Sequence, residues 1–274
     1  MKNPGVKRSI IYALLIAGAI AMLMPFFWMV TTALKTPPEA TTMPPVWIPE
    51  VLQWSNFVEA WNTAPFARYF LNSFFISITC TVLEVITAIL AAYAFAKMQF
   101  FGKNVLFVIL LGTMMIPGEV LLIPNFLTLS KLGWINTYKA LIIPWIASVF
   151  AIFLVRQFFM TIPEELWEAA RIDGCSRLRY LFQIMVPLAK PAIVTIALFK
   201  FIGSWNAFLW VLIMTNTSAM RTVPVGLSFF VSDVGTDYHL LMAASTFAML
   251  PVLIIFLAAQ KQFIQGIARV GIKG

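Results

Sequence analysis

Residues 164–188 read EELWEAARIDGCSRLRYLFQIMVPL, and this stretch decides how the rest of the chain is interpreted. It holds four acidic residues and three arginines, and long apolar runs lie on either side of it. A charged side chain at the centre of a bilayer costs about 2.5–3.5 kcal/mol, so a dense cluster of charges does not suit a membrane span. The stretch therefore predicts an element that projects from the membrane into water.

The local pattern predicts two short amphipathic helices that meet at a glycine. The first covers about 162–173, because Thr161 and Glu164 have the spacing of a capping box and Pro163 suits the first turn. Gly174 suits the left-handed position that follows many helices. Ser176 can then cap the second helix, which we expect to end at Pro187.

The apolar faces of the two helices leave two interpretations open. The predicted faces consist of Ile162, Leu166, Ala169 and Ala170 on the first helix and of Leu178, Leu181, Phe182 and Met185 on the second. The small residues Ala169 and Ala170 let another backbone or side chain approach closely. Shape alone does not decide whether this neighbour is a partner protein or the chain's own helical bundle.

The composition outside this stretch is that of a helical membrane protein. Of the 274 residues, 61% are hydrophobic and only 11% are charged, whereas soluble domains are about a quarter charged. Continuous apolar runs, rather than alternating ones, predict helices and not a β-barrel. Six runs are long enough to cross a bilayer, and they cover residues 10–34, 69–96, 105–129, 140–159, 192–214 and 240–260.

The distribution of positive charge predicts the orientation of these six spans. With a cytoplasmic N-terminus, thirteen lysines and arginines fall on inner segments and five on outer segments, so the bias selects N-in and C-in. The net charge of +8 is thereby explained without a nucleic acid partner. The remaining cation, Lys200, lies near the inner end of the fifth span, where we expect it to snorkel. Residues 10–34 are too long for a signal-peptide core and are interpreted as a retained first span.

A few residues at membrane depth are unusual for a span, and three of them, Glu119, Trp205 and Asn206, are candidates for lining a polar pathway through the bundle. Glu84 lies near the middle of the second span, so we expect it to be paired or protonated inside the bundle. Glu119 follows Pro117 and Gly118, where the third span is expected to break, and a lining role competes with a structural one. Trp205 and Asn206 lie in the fifth span, where lining such a pathway competes with plain helix packing.

The spacing inside the opening stretch also resembles a known signature. It matches the EAA motif, EAA-x3-G-x9-I-x-L-P, except that Val186 replaces leucine. The matching residues are Glu168, Ala169, Ala170, Gly174, Ile184 and Pro187. This motif belongs to the membrane subunits of binding-protein-dependent ABC importers. Other stretches resemble the smaller permease subunit of the maltose-type, carbohydrate branch, among them AAYAFAKMQFFGK at 91–103, MIPGEVLLIP at 115–124 and SWNAFLW at 204–210.

This resemblance implies an all-α, type I ABC importer permease with six transmembrane helices and a cytoplasmic coupling helix. Residues 1–68 would form the first span and an external proline-rich loop, 69–262 the transmembrane core, and 263–274 a cytoplasmic tail. The coupling residues that the resemblance implies are Glu168, Ala169, Ala170, Asp173, Gly174, Ile184 and Pro187. In the maltose-type branch the substrate is held mainly by the partner permease.

The resemblance also implies a set of partners in a bacterial or archaeal cell membrane. They are a second permease, two ATPase subunits or domains, an extracytoplasmic solute-binding protein and membrane lipid. The chain has no G-x-x-x-x-G-K stretch, so ATP and magnesium are expected on the ATPase and no cofactor or metal on this chain. The sequence does not tell which sugar is carried.

Two other functions remain as alternatives. A self-sufficient secondary carrier would use an ion gradient and would show paired broken helices in two halves. A membrane enzyme would need a catalytic constellation, yet the sequence holds one histidine, His239, and no metal-ligand cluster or nucleophile–base pattern. We therefore expect a non-catalytic subunit.

Overall fold

The structure is a computed structural model that describes residues 4–232 and 235–271, with side chains for residues 8–232 and 235–261. The described chain is predominantly helical. The α-helices in chain order are α1 (Pro4–Ala33), α2 (Pro37–Thr41), α3 (Ser55–Thr63), α4 (Phe66–Lys97), α5 (Lys103–Thr113), α6 (Leu122–Lys131), α7 (Tyr138–Ile142), α8 (Val149–Met160), α9 (Glu165–Ile172), α10 (Arg177–Tyr180), α11 (Val186–Leu188), α12 (Lys190–Trp205), α13 (Leu209–Met214), α14 (Val223–Leu227) and α15 (Tyr238–Gly271).

Shorter elements connect some of these helices. Strands β1 (Val231–Ser232) and β2 (Gly235–Thr236) form an antiparallel pair. The 3₁₀ turns are Gly118–Leu121, Ile143–Trp145, Ser218–Met220 and Ser228–Phe230, and a π turn covers Leu181–Met185. The side chains of the predicted tail, 263–274, lie outside the described residues.

Four helical segments among the described residues are long and apolar enough to cross a bilayer, or up to six if two bent pairs each count as one span. The four are Arg8–Ala33, Phe66–Lys97, Tyr138–Met160 and Tyr238–Lys261. The bent pairs are Lys103–Thr113 with Gly118–Lys131, at 88°, and Arg177–Leu188 with Lys190–Trp205, at 81°. A multi-span helical membrane protein is therefore confirmed.

The predicted break in the third span is present. Helix α5 ends at Thr113, and the chain resumes as a 3₁₀ turn at Gly118 after the extended Pro117. Proline has no N–H to continue the helical ladder, so the helix ends before it. The two halves of this span consequently lie nearly at right angles.

The fifth predicted span, 192–214, is wrong as a continuous helix. Helix α12 ends at Trp205, and α13 starts only at Leu209. The Asn206 N–H still bonds to the Ile202 carbonyl, but the next turns do not continue the ladder. Hydropathy alone misses this break, because the residues on both sides of Asn206 are apolar.

The described chain divides into two compact units. The first comprises residues up to Phe66 together with Gly226–Leu250. In it, the amide of Asn56 donates to the carbonyls of Ala33 and Lys35 at 2.9 and 2.8 Å, which ties α3 to the end of α1. The Lys35 ammonium lies 3.8 Å from the ring centre of Trp28, so this buried cation is stabilised by a cation–π contact.

The second unit comprises Ala67–Val225 together with the residues from Pro251 onward. Its principal core joins α4 and α8 to the charged stretch with which the sequence analysis began. The buried members of this cluster are Ala88, Ile89, Ala92, Tyr93, Ala151, Ile152, Val155, Phe159, Ile162, Ala170, Tyr180, Leu181, Met185, Ala189 and Ile196. The charged stretch is thus anchored through its apolar side on the ends of two long helices.

Candidate functional site

The charged stretch forms an elbow, which we define as residues 161–189. Its bend follows the predicted glycine: Gly174 has φ +73°, in the left-handed region. The Gly174 N–H donates to the Arg171 carbonyl at 3.1 Å, and the Cys175 N–H donates to the Ala170 carbonyl at 2.9 Å. These two bonds form a Schellman motif, which satisfies the last carbonyls of α9 and redirects the chain.

The first arm starts differently from the prediction. Helix α9 begins at Glu165, with Glu164 at the N-cap and no side-chain cap. The Thr161 hydroxyl donates to the Phe158 carbonyl at 2.7 Å, so the predicted capping box is wrong. Pro163 precedes the helix instead of lying in its first turn.

A lysine on α4 holds the start of this arm. The Lys97 ammonium donates to the Ile162 carbonyl at 2.7 Å and forms a salt bridge with Glu164 at 3.0 Å. The Lys97 side chain is 11% exposed and that of Glu164 is 58% exposed. Most of the constraint on the backbone therefore comes from the bond to the carbonyl, because exposed ion pairs contribute little.

The second arm is capped as predicted but ends later. The Ser176 hydroxyl accepts a hydrogen bond from the Arg179 N–H at 3.4 Å. Helical structure then continues through the π turn and ends at Leu188, one residue after the predicted end at Pro187. In the π turn the Val186 N–H bonds to the Leu181 carbonyl. The wider turn accommodates the proline ring, which would clash in a regular α-helix.

Aromatic packing fixes the two arms against each other. The rings of Trp167 and Tyr180 meet edge to face, with centroids 5.1 Å apart. Tyr180, Leu181 and Met185 are fully buried in the core of the second unit.

The opposite side of the elbow is exposed and mixes apolar with charged groups. Ile172 is 87% exposed, Leu178 61% and Phe182 52%. Leu178 and Phe182 were predicted to share one apolar face with Leu181 and Met185, and this assignment is wrong because Leu181 and Met185 are buried together with Tyr180. Exposed apolar side chains rimmed by charges are typical of protein interaction sites.

The seven residues that the motif singled out divide between the two sides of the elbow. Glu168, Ala169, Asp173, Gly174 and Pro187 are exposed, whereas Ala170 is buried and Ile184 is half-buried. Ala170 therefore packs inside the chain, next to the residues that could meet a partner. The elbow resolves the open question about the alanine pair: Ala170 contacts the bundle and Ala169 faces outward.

The three pathway candidates lie in different surroundings. Glu119 is exposed in the 3₁₀ turn after the break in the third span. Asn206 is exposed at the break between α12 and α13. Trp205 is 2% exposed, and its ring packs against Phe70, Phe74 and Phe201. A lining role for these residues stays a prediction.

A buried ion pair joins α4 to α12. The Lys200 ammonium lies 2.7 Å from the Glu84 carboxylate, and the two side chains are 12% and 7% exposed. The expectation that Glu84 is paired is confirmed. The expectation that Lys200 snorkels is wrong, since its charge is satisfied inside the bundle. Among the residues that the structure describes, no group of three or more His, Cys, Asp or Glu could hold a metal ion.

Comparison with known proteins assigns this arrangement to a family. Residues 84–269 match the family described as binding-protein-dependent transport system inner membrane component. The arabinooligosaccharides transport system permease protein AraQ of Bacillus subtilis (strain 168) is 38% identical over 227 residues, which are 82% of this chain and 81% of the relative. The sn-glycerol-3-phosphate transport system permease protein UgpE of Pectobacterium atrosepticum is 34% identical over 93% of this chain and 94% of the relative.

The fold is also that of solved importer chains. A chain in the crystal structure of a bacterial ABC transporter involved in the import of the acidic polysaccharide alginate superposes with a TM-score of 0.84 at 24% identity, covering 96% of this chain and 98% of that one. A second alginate transporter structure, in complex with a periplasmic protein bound to an alginate pentasaccharide, gives a TM-score of 0.67 at 18% identity. At these identities the likeness concerns the fold alone.

Proposed function

The chain belongs to the family of inner membrane components of binding-protein-dependent transport systems, and from this premise we propose that it forms half of the pathway of an ATP-driven carbohydrate importer. The other half is a second permease. The chain itself is a non-catalytic permease subunit. ATP and magnesium bind to a separate ATPase, and the imported solute is a sugar, an oligosaccharide or a polyol-type compound.

The elbow is the observation that carries this proposal. Residues 161–189 have an anchored side, built on Tyr180 and Leu181, and a free side with exposed apolar groups such as Ile172 and Leu178. A rigid element that is fixed to two long helices can transmit the movement of a docked partner to them. The ATPase is this partner, and the exposed motif residues Glu168, Ala169, Asp173 and Gly174 lie in the contact.

The carbohydrate class is supported by the relatives, and the orientation by charge. The named relatives carry arabinooligosaccharides or sn-glycerol 3-phosphate. The excess of lysine and arginine on one set of segments supports a topology of six spans in which both termini and the elbow lie in the cytoplasm of a bacterial or archaeal cell. The segments 35–68 and 215–239 then lie outside, where they meet the solute-binding protein.

Reconstitution tests the proposal against the alternative of a self-sufficient carrier. Proteoliposomes with both permeases are assayed for sugar uptake with and without the ATPase, and with ATP or an ion gradient as the energy source. We expect uptake only with the ATPase and ATP. Uptake driven by an ion gradient in the absence of the ATPase would contradict the proposal.

A charge reversal in the elbow tests the site of coupling. Glu168→Lys places a cation at the positive end of the α9 dipole and on the docking surface. We expect normal insertion but loss of ATPase co-purification, or ATP hydrolysis without uptake. Gly112→Ala, within α5, is the control and should leave both unchanged. Normal ATP-driven uptake by Glu168→Lys would remove the elbow from the coupling path.

A further inference from the structure

A cavity of about 300 Å³ lies within the second unit, at the level of the buried ion pair. It lies between α12, α13 and the residues just before α8. Its wall includes Trp145, Phe199, Lys200, Gly203, Ser204 and Trp210. This volume is at the lower end of the range for small-molecule sites, about 300–1,000 Å³.

Two tryptophans give the cavity aromatic walls. Trp145 and Trp210 stand perpendicular, with ring centroids 5.2 Å apart. The indole N–H of Trp210 donates to the Ala140 carbonyl at 3.2 Å, which fixes that ring in place. Trp145 is 42% exposed and lines the cavity, and the Lys200 ammonium lies 5.7 Å from the centre of its ring. A sugar ring has an apolar face of C–H groups and polar hydroxyls at its edge. Its C–H face can pack on the flat apolar face of an indole ring.

The polar groups of the wall form a neutral set. Lys200 presents the only formal charge among the lining residues, and its ammonium is paired at 2.7 Å with Glu84 behind the wall. An ammonium has three donors, so two remain after the bond to Glu84. The Ser204 hydroxyl, which also has a hydrogen bond with the Cys80 thiol, adds one more polar group that can donate or accept. The wall therefore offers hydrogen bonds without a net positive field.

We propose that this cavity holds one residue of a neutral oligosaccharide during passage, a proposal that rests on the proposed function. The sugar ring lies against Trp145, and its hydroxyls accept from Lys200 and exchange hydrogen bonds with Ser204. Because Glu84 neutralises Lys200, an anionic solute gains no net attraction here, while its loss of hydration remains. The geometry thus favours neutral sugars over phosphorylated or acidic ones.

A cavity-filling variant tests whether the solute passes this wall. Gly203 has open space at its Cβ position and lies in a helix, so Gly203→Leu fills the cavity without a backbone conflict. Gly112→Leu is the matched control, since it is also a helical glycine with open space. The complete importer in proteoliposomes is assayed for uptake of arabinotriose, maltotriose and sn-glycerol 3-phosphate. We expect Gly203→Leu to abolish uptake of the transported trisaccharide and Gly112→Leu to leave it unchanged.

Two further variants test the contacts. Trp145→Ala should reduce trisaccharide uptake roughly two- to tenfold, which corresponds to the strength of one aromatic contact. Glu84→Gln leaves Lys200 unpaired and should shift the ratio of uptake towards sn-glycerol 3-phosphate. The double variant Glu84→Gln/Lys200→Gln is again neutral and should restore the original ratio.

The outcomes separate this proposal from the proposed function. Trisaccharide uptake unchanged in both Gly203→Leu and Trp145→Ala would overturn the cavity assignment and leave the carbohydrate importer intact. Uptake of sn-glycerol 3-phosphate but of neither trisaccharide by the unmodified importer would overturn the preference for neutral sugars, while ATP-driven import would stand. Uptake of none of the three would remove the support for both.

Discussion

At the scale of single residues, the bend of the elbow depends on one backbone angle. Gly174 has φ +73°, and a Cβ atom there would meet no other atom within 4 Å. The constraint is therefore conformational and not steric. A left-handed conformation costs other residues about 1–2 kcal/mol, but asparagine adopts it more readily than branched residues do.

This distinction predicts different results for two substitutions of Gly174. Gly174→Val should lower ATPase co-purification and coupled uptake by about tenfold, because branched residues avoid positive φ. Gly174→Asn should retain more activity if only the backbone angle matters. Equal losses in both variants would show that the partner's surface needs a bare glycine, and no loss in either would contradict the role of the bend.

The Tyr180 ring and its hydroxyl should contribute to stability with opposite signs. The hydroxyl is buried and has no hydrogen-bond partner among the described residues, whereas the ring packs on Trp167. Burying an unpaired hydroxyl costs about 1–3 kcal/mol, so Tyr180→Phe should be neutral or stabilising. Tyr180→Ala should cost about 3–5 kcal/mol through the lost ring. Thermal unfolding of the purified complex measures both effects.

A second tyrosine provides the matched control. The Tyr138 hydroxyl donates to the Asn72 side chain at 2.7 Å, so Tyr138→Phe breaks a real hydrogen bond. This variant should lose about 0.5–1.5 kcal/mol. A larger loss in Tyr180→Phe than in Tyr138→Phe would show that the Tyr180 hydroxyl has a partner in the assembled protein.

Local chemistry made some of these residues predictable and left others hidden. Gly174 and Ser176 follow from turn and capping preferences, which act over a few neighbouring residues. The pairing of Glu84 with Lys200 depends on how two distant helices are rotated against each other, and no short pattern records that. The sequence therefore predicts a paired or protonated Glu84 inside the bundle but does not identify Lys200 as its partner.

At the scale of elements, α4 controls the elbow through its last residue. Lys97→Met keeps the apolar stem but removes the bonds to the Ile162 carbonyl and to Glu164. An exposed ion pair is worth at most about 1 kcal/mol, so the change should open the start of the elbow locally and not unfold the protein. Hydrogen exchange of the amides in 162–168 should become about fivefold faster.

The neighbouring Lys103 serves as the control for this measurement. Its ammonium donates to the Met98 carbonyl at 2.8 Å and not to the elbow. Lys103→Met should leave exchange in 162–168 unchanged. Equal exchange in Lys97→Met and the unmodified protein would mean that packing alone holds the elbow.

The existence of the elements was easier to predict than their interruptions. The break near Pro117 follows from a residue that cannot donate a backbone hydrogen bond. The break after Trp205 lies in a stretch without proline, where no single residue forces the helix to end, and tertiary contacts are needed to explain it. The π turn at Leu181–Met185 was not predicted, although the second arm ends at Leu188, next to the predicted end at Pro187.

At the scale of the whole molecule, composition determines the class of protein and charge predicts its orientation. The apolar runs identify a membrane protein whatever the details of each helix. The orientation is set when the chain is inserted into the membrane, and the distribution of lysine and arginine is the sequence feature that predicts it. A test of the orientation needs a residue in the elbow that a membrane-impermeant reagent can modify, and Cys175 is such a residue.

The two cysteines, both free thiols, give a direct test of the orientation. Cys175 is partly exposed in the elbow, whereas Cys80 is 1% exposed within α4. In vesicles containing the permeases without the ATPase, an impermeant maleimide should modify Cys175 in inside-out vesicles only, and Cys80 in neither. Thr217→Cys in a Cys175→Ala background is the control, because Thr217 is exposed in the predicted outer segment and should react only in right-side-out vesicles. Modification of Cys175 in right-side-out vesicles would contradict the N-in, C-in arrangement and would place the elbow on the wrong side of the membrane for an ATPase.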